Sequence, residues 1–238
     1  IPGSLVGSEM CIRDRFKDVE SHTNFCIELL NELNLGELIF SGHSWGGLIA
    51  LDLSTKYKNE MSICMNIAYP FLVGDILLDY AKGNLDQAVE FLMKYGVYKM
   101  PETKIKTTGF GVKGSGFYGR SKGEIKSPYG TKNVEADPER EIKLYPLKRL
   151  FNQTEKEISS IDLNSCTNFR LKDDQIEKLE NIKYIFCDKD KLARFNPDNE
   201  ILKNSNLEKD IFMLNETGHF PYFEDPDQLE KVFLDILN

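Results

Sequence analysis

The sequence predicts an α/β fold, a mostly parallel sheet flanked by helices with a helical insertion. Three observations carry that prediction. Short apolar runs alternate with segments of helical period, the pattern of strand–helix–strand units that pair in parallel. The chain has 238 residues, 41% of them apolar, which suffices for one large core. A tract of different character, from residue 71 to about 180, interrupts the alternation and reads as an insertion over the sheet. No repeat of fixed period is present.

The elements follow in order. Val19, His22, Phe25, Cys26, Leu29, Leu30 and Leu33 recur at helical spacing and Gly36 stops the run. Glu37 to Ser41 is a short apolar strand. A helix follows over 45–58, with Gly46, Gly47 and Ala50 small on one side. Met61 to Ala68 is a second buried strand. Helices are expected near 75–81 and 85–95, then a loop-rich stretch, then helices around 147–159 and 173–181. Ile182 to Cys187 and Asp210 to Leu214 are two further strands. An amphipathic helix carrying Leu229, Val232, Phe233, Ile236 and Leu237 ends the chain.

Composition excludes several function classes. A net charge of −8 argues against a dedicated nucleic-acid binder. No apolar run approaches the roughly 18 residues of a membrane span. The five cysteines are an odd number without a CxxC pair, so they read as reduced thiols of a cytoplasmic protein rather than a disulfide framework or zinc site. Residues 1–15 show neither helical nor strand period and no signal-peptide pattern. They are expected to be a non-native scar or a disordered tail, with the native frame entering near Phe16.

Gly42-His43-Ser44-Trp45-Gly46 fits G-x-S-x-G, placed between a strand and a helix as that motif demands. The turn is tight enough that a Cβ beside the serine would clash. A serine hydroxyl needs a base to become a useful nucleophile, and histidine is the usual one. Of the three histidines, His43 lies inside the turn and is expected to point elsewhere. His22 lies on the apolar stripe of the first helix and reads as a packed or surface residue. His219, in a loop after the last strand, is the candidate base. A carboxylate at the end of the preceding strand would orient it. Asp190 is the first choice and Asp188 the alternative.

Other signals are weaker. Gly109 to Gly114 matches G-x-G-x-x-G, but no buried strand precedes it and no helix follows, so a loop is expected. Residues 99–132 hold eight lysines and arginines against two glutamates, which reads as a solvated loop. Tyr69, Phe71, Leu72, Leu77, Tyr80 and Phe91 either line an acyl pocket or simply pack the insertion on the sheet.

LIFSGHSWGGLIALDLS, FCDKDKLARFNPD and TGHFPYFEDPDQL together resemble the α/β-hydrolase superfamily, in particular its lid-bearing esterase and proline-iminopeptidase-like branch. The resemblance covers residues 16–70 and 181–238 as the core and leaves 71–180 as the lid. It implies Ser44 as nucleophile, His219 as general acid/base, Asp190 as orienting acid, and the Trp45 backbone N–H as one oxyanion donor. It implies a small acyl substrate, with no metal or organic cofactor. Relatives usually place four strands and a His-Gly loop before the elbow strand, the loop giving the second oxyanion donor. Those features are missing upstream of Ser44, so the chain is expected to be an N-terminally truncated member. A carboxylic ester hydrolase is the leading expectation. An iminopeptidase-like enzyme and a non-catalytic binding protein of the same fold are the alternatives.

Overall fold

A computed structural model describes residues 16–101, 138–154 and 156–238. The suspected scar, the G-x-G-x-x-G segment and most of the basic tract lie outside the described residues.

Helix α1 (Val19–Leu33) begins where Asp18 accepts the Ser21 N–H at 2.7 Å, closing a capping box. It ends at Asn34, whose φ of 47° is a left-handed conformation that asparagine tolerates. The stop thus comes two residues before the predicted glycine. Strand β1 (Ile39–His43) leads into α2 (Trp45–Lys56), and β2 (Met61–Met65) follows. The second strand is shorter than its apolar run because Asn66, whose N–H still donates to the Ile185 carbonyl at 2.8 Å, turns to φ 47°.

Between β2 and β3 come α3 (Asp75–Gly83), α4 (Leu85–Gly96), α5 (Pro138–Asn152), α6 (Lys156–Asn168) and the short α7 (Asp173–Ile176). One helix was expected over 147–159, and the structure has two around that region. Helix α5 continues through Pro146 because buried Leu144 and Leu147, packed with Val89, Met93 and Phe220, hold both sides of the proline in register. The Ser- and Asn-rich α6 has weak intrinsic propensity, and packing of Leu163 beside Leu77, Ala81 and Ala88 supports it instead.

Strands β3 (Ile182–Cys187) and β4 (Ile211–Leu214), then α8 (Pro221–Glu224) and α9 (Pro226–Leu237), complete the described chain. The sheet runs β1-β2-β3-β4, every pair parallel, with Gly42 beside Cys64 and Ile185 beside Phe212. Both faces are covered. Cys64, Tyr184 and Phe186 pack with Leu48 and Leu51 of α2, while Ile63, Ile185 and Leu214 pack with Leu229 and Ile236 of α9. That double burial is why the middle strands read as continuous apolar runs rather than alternating ones. Each fully buried leucine or isoleucine contributes about 2 kcal/mol of transfer free energy. Because the strands are parallel, the loops after β1, β3 and β4 emerge on one edge of the sheet.

Candidate active site

The turn from β1 to α2 holds Ser44 at φ 53°, ψ −119°, a left-handed conformation that costs a non-glycine residue about 1–3 kcal/mol. The Ser44 N–H donates to the Met65 carbonyl at 2.8 Å, which fixes the turn to β2. An added Cβ at Gly42 would stand 2.0 Å from the Gly46 carbonyl oxygen, and one at Gly47 would stand 2.4 Å from the Ile67 Cγ2. At Gly46 it would meet no described atom within 4 Å. The steric demand therefore falls on Gly42 and Gly47, so of the two motif glycines only Gly42 shows the clash expected at this turn.

The loop after β4 carries His219 to this turn. Its Nε2 lies 3.0 Å from the Ser44 Oγ, and its Nδ1 lies 2.7 Å from Asp190 Oδ2. His219 and Asp190 are both buried. The other Asp190 oxygen accepts the N–H groups of Leu192 and Ala193 at 2.8 and 2.9 Å. Burial pushes the Asp190 carboxyl up, but the His219 hydrogen bond and charge and the two N–H donors outweigh it. The carboxyl is held below its ordinary value. Asp188 is engaged elsewhere, accepting the Thr217 N–H at 3.3 Å and pairing with Lys189 at 2.9 Å. The structure thus joins Ser44, His219 and Asp190 in one hydrogen-bonded chain, and it leaves Asp188 out.

Such a chain can remove the serine proton and hold the resulting imidazolium. The Trp45 N–H, the first of α2, meets no acceptor among the described residues. The Trp45 indole donates to Ser165 Oγ of α6 at 2.7 Å. His22 is half-buried, with its ring edge-on to Trp45 at 4.7 Å between centroids. Tyr69 and Phe71 are buried in the main core, and Leu77, Tyr80 and Phe91 pack among the helices that follow β2. Among the described residues, a cleft of about 530 Å³ borders Asp190, Lys191, Arg194 and Tyr98 and does not reach Ser44. The described residues contain no cluster that could hold a metal ion.

Three residues around His219 escaped the sequence. His43 was expected to point away, yet its ring lies 4.8 Å from the His219 ring. Its Nε2–H donates to the His219 carbonyl at 2.6 Å, since a carbonyl can only accept. Burial, reinforced by the charge of His219, drives the His43 pKa down to about 3, so this ring stays neutral. Asn66 is wholly buried and its amide donates to the carbonyls of Gly218 and His219 at 3.3 and 3.1 Å. Glu224 accepts backbone N–H groups on both sides of His219. Burial pushes its carboxyl above the ordinary value, and those N–H groups pull it back part of the way. None of the three had a signal beyond proximity to a motif, because the contacts span loops whose meeting depends on the sheet.

No family model matches the sequence, and a comparison with curated proteins gives no match. Solved structures do match. The enol-lactonase from Burkholderia xenovorans LB400 superposes with a TM-score of 0.61 at 15% identity, over 92% of this chain and 73% of that one. A thermophilic esterase gives 0.61 at 16% identity over 92% and 73%. The α/β hydrolase MGS-M2, from a Medee basin deep-sea metagenome library, gives 0.59 at 15% identity over 90% and 70%. The protein therefore has the α/β-hydrolase fold. No described helix is long and apolar enough to cross a membrane.

Proposed function

We propose that the protein is a serine hydrolase that cleaves a carboxylic ester or similar small acyl compound. The observation that carries this is the Ser44–His219–Asp190 hydrogen-bonded chain, mounted on a strained turn at the carboxyl edge of the sheet. Ser44 Oγ attacks the acyl carbon while His219 Nε2 takes its proton. The tetrahedral oxyanion is stabilised by the Trp45 N–H. As the intermediate collapses, His219 returns the proton to the leaving alcohol, and Ser44 keeps the acyl group. Water then attacks that ester with His219 again accepting the proton; the bond between the acyl carbon and Ser44 Oγ breaks, His219 gives the proton to Oγ, and the carboxylic acid leaves. Asp190 stays ionised throughout, fixing the imidazole tautomer with the proton on Nδ1.

In this proposal residues 71–180 form a lid over a core of 16–70 and 181–238, and the Trp45–Ser165 bond is one tie between them. The names of the enol-lactonase and the esterase point to ester bonds, cyclic and open, as the substrate class those two proteins take. Described cysteines are free, and Cys64, Cys166 and Cys187 are buried, which supports a reducing, cytoplasmic setting.

The test is labelling with a fluorophosphonate probe alongside hydrolysis of p-nitrophenyl acetate. Ser44 in the wild-type chain is expected to label, and Ser44→Ala to abolish both signals. Wild-type protein that is folded yet neither labels at Ser44 nor hydrolyses the ester would favour the non-catalytic binding protein instead.

A further inference from the structure

Glu224 touches no reacting atom, yet it holds the loop that carries His219. Its buried carboxylate accepts four backbone N–H groups. Oε2 takes those of Gly218 at 3.0 Å, Tyr98 at 2.9 Å and Lys99 at 3.0 Å, and Oε1 takes that of Phe220 at 3.2 Å. Gly218 and Phe220 flank His219. Tyr98 and Lys99 belong to the segment that leaves α4. One side chain therefore ties together two stretches of chain more than a hundred residues apart.

The same two stretches meet closely around it. The His219 N–H donates to the Gly96 carbonyl at 2.6 Å. A Cβ at Gly218 would stand 2.3 Å from that same oxygen, and one at Gly96 would stand 2.5 Å from the Phe220 ring. Nearer the surface, Tyr98 donates its hydroxyl to Glu216 and Lys99 pairs with Asp225, each at 2.6 Å. The backbone on both sides of His219 is thus set by how the 96–99 segment seats.

Four N–H dipoles converging from two strands of chain need an acceptor with two oxygens and no hydrogens, which only a carboxylate supplies. A glutamine would turn an NH₂ toward at least one of those donors. Burying a carboxylate opposes folding unless its hydrogen bonds compensate. The donors it satisfies are those that fix the register of His219 against Ser44 and Asp190.

We infer that Glu224 is a positioning residue for the proton transfer at His219, acting through the 218–220 backbone and linking it to the segment that leaves α4. This rests on the serine-hydrolase reading above. Displacing a reacting group by about an ångström costs on the order of a hundredfold in rate, without a matching loss of substrate affinity.

The test compares the full chain with Glu224→Gln and, as a second variant, Glu224→Asp, each checked for folding by circular dichroism. Folded Glu224→Gln is expected to lose about a hundredfold in kcat with KM unchanged. A second readout needs no turnover. The His219 Nδ1–H shared with Asp190 is expected to give a low-field proton resonance in the wild type, and this resonance should broaden and exchange faster in Glu224→Gln. Wild-type protein that does not hydrolyse ester removes the hydrolase reading, while the resonance still reports on Glu224. Unchanged kcat and an unchanged resonance in a folded variant overturn the inference. If neither variant folds, Glu224 is an anchor of the fold alone, and the inference is equally overturned.

Discussion

The two glycines of the elbow motif are not equivalent, and substituting each by alanine should show it. A methyl at Gly42 would sit 2.0 Å from the Gly46 oxygen, 2.3 Å from the Gly46 carbonyl carbon and 2.7 Å from the Gly47 nitrogen. Ordinary contact begins at 3.4 Å, so the first turn of α2 would have to retreat by more than an ångström. These are backbone atoms, which cannot rotate aside as a side chain can. We expect Gly42→Ala to cost about 3 kcal/mol or more, the upper range for overpacked sites. Gly47→Ala presses on the Ile67 methyl and should cost less than Gly42→Ala, because a side chain is the obstacle. Gly46→Ala meets nothing described and lies in the first turn of a helix, so it should be neutral or stabilise by up to about 1 kcal/mol. Urea unfolding followed by the fluorescence of Trp45, the single tryptophan, measures all three. The reasoning fails if Gly42→Ala unfolds at the wild-type midpoint, or if Gly46→Ala is the most damaging of the set.

Three further outcomes follow from the same contacts. Burial pushes the thiols of Cys64, Cys166 and Cys187 up to about 12, so a disulfide reagent at pH 8 should modify them only after denaturant is added; rapid native reaction at any of them would contradict their burial. The Asp190 carboxyl, held below its ordinary 3.8, contributes stability that is complete above that value and lost as pH falls through the lower folded value. Acid unfolding should therefore have a component below about pH 4 that Asp190→Asn removes, and an identical pH dependence in that variant would refute the assignment. Ser165→Ala leaves the Trp45 indole N–H without its partner and should lower stability by about 1 kcal/mol, read by thermal melting; an unchanged melt would mean that the tie between α2 and α6 carries no energy.

How much of this could be read from the residues depends on the range of the interaction. The elbow was legible because its constraint is local: Gly42, Ser44 and the helix start lie within one turn, and the strain at Ser44 must be met by nearby small residues. Asp190 and His219 were legible because each follows an apolar strand and parallel strands bring their following loops to one edge. The order of strands and helices was likewise local, and its errors were local competitions. The helix expected from about 147 begins at Pro138 instead, since the packing of Leu144 and Leu147 carries it through Pro146, and Asn66 ended β2 earlier than its apolar run did. His43, Asn66 and Glu224 were not legible in their roles, since each acts on the His219 loop across 176 or 153 residues of chain or through a helix turn whose geometry the sequence does not announce. His43 is the sharpest case. Inside the motif it looked like filler pointing away, but parallel pairing of β1 with β2 and β2 with β3 brings the end of β1 under the loop that follows β4. There its Nε2–H donates to the carbonyl of His219. Burial drives the His43 pKa down to about 3, which keeps that ring neutral 4.8 Å from the His219 ring. In the proposed mechanism His219 exchanges the proton, and His43 supports its backbone without competing for it.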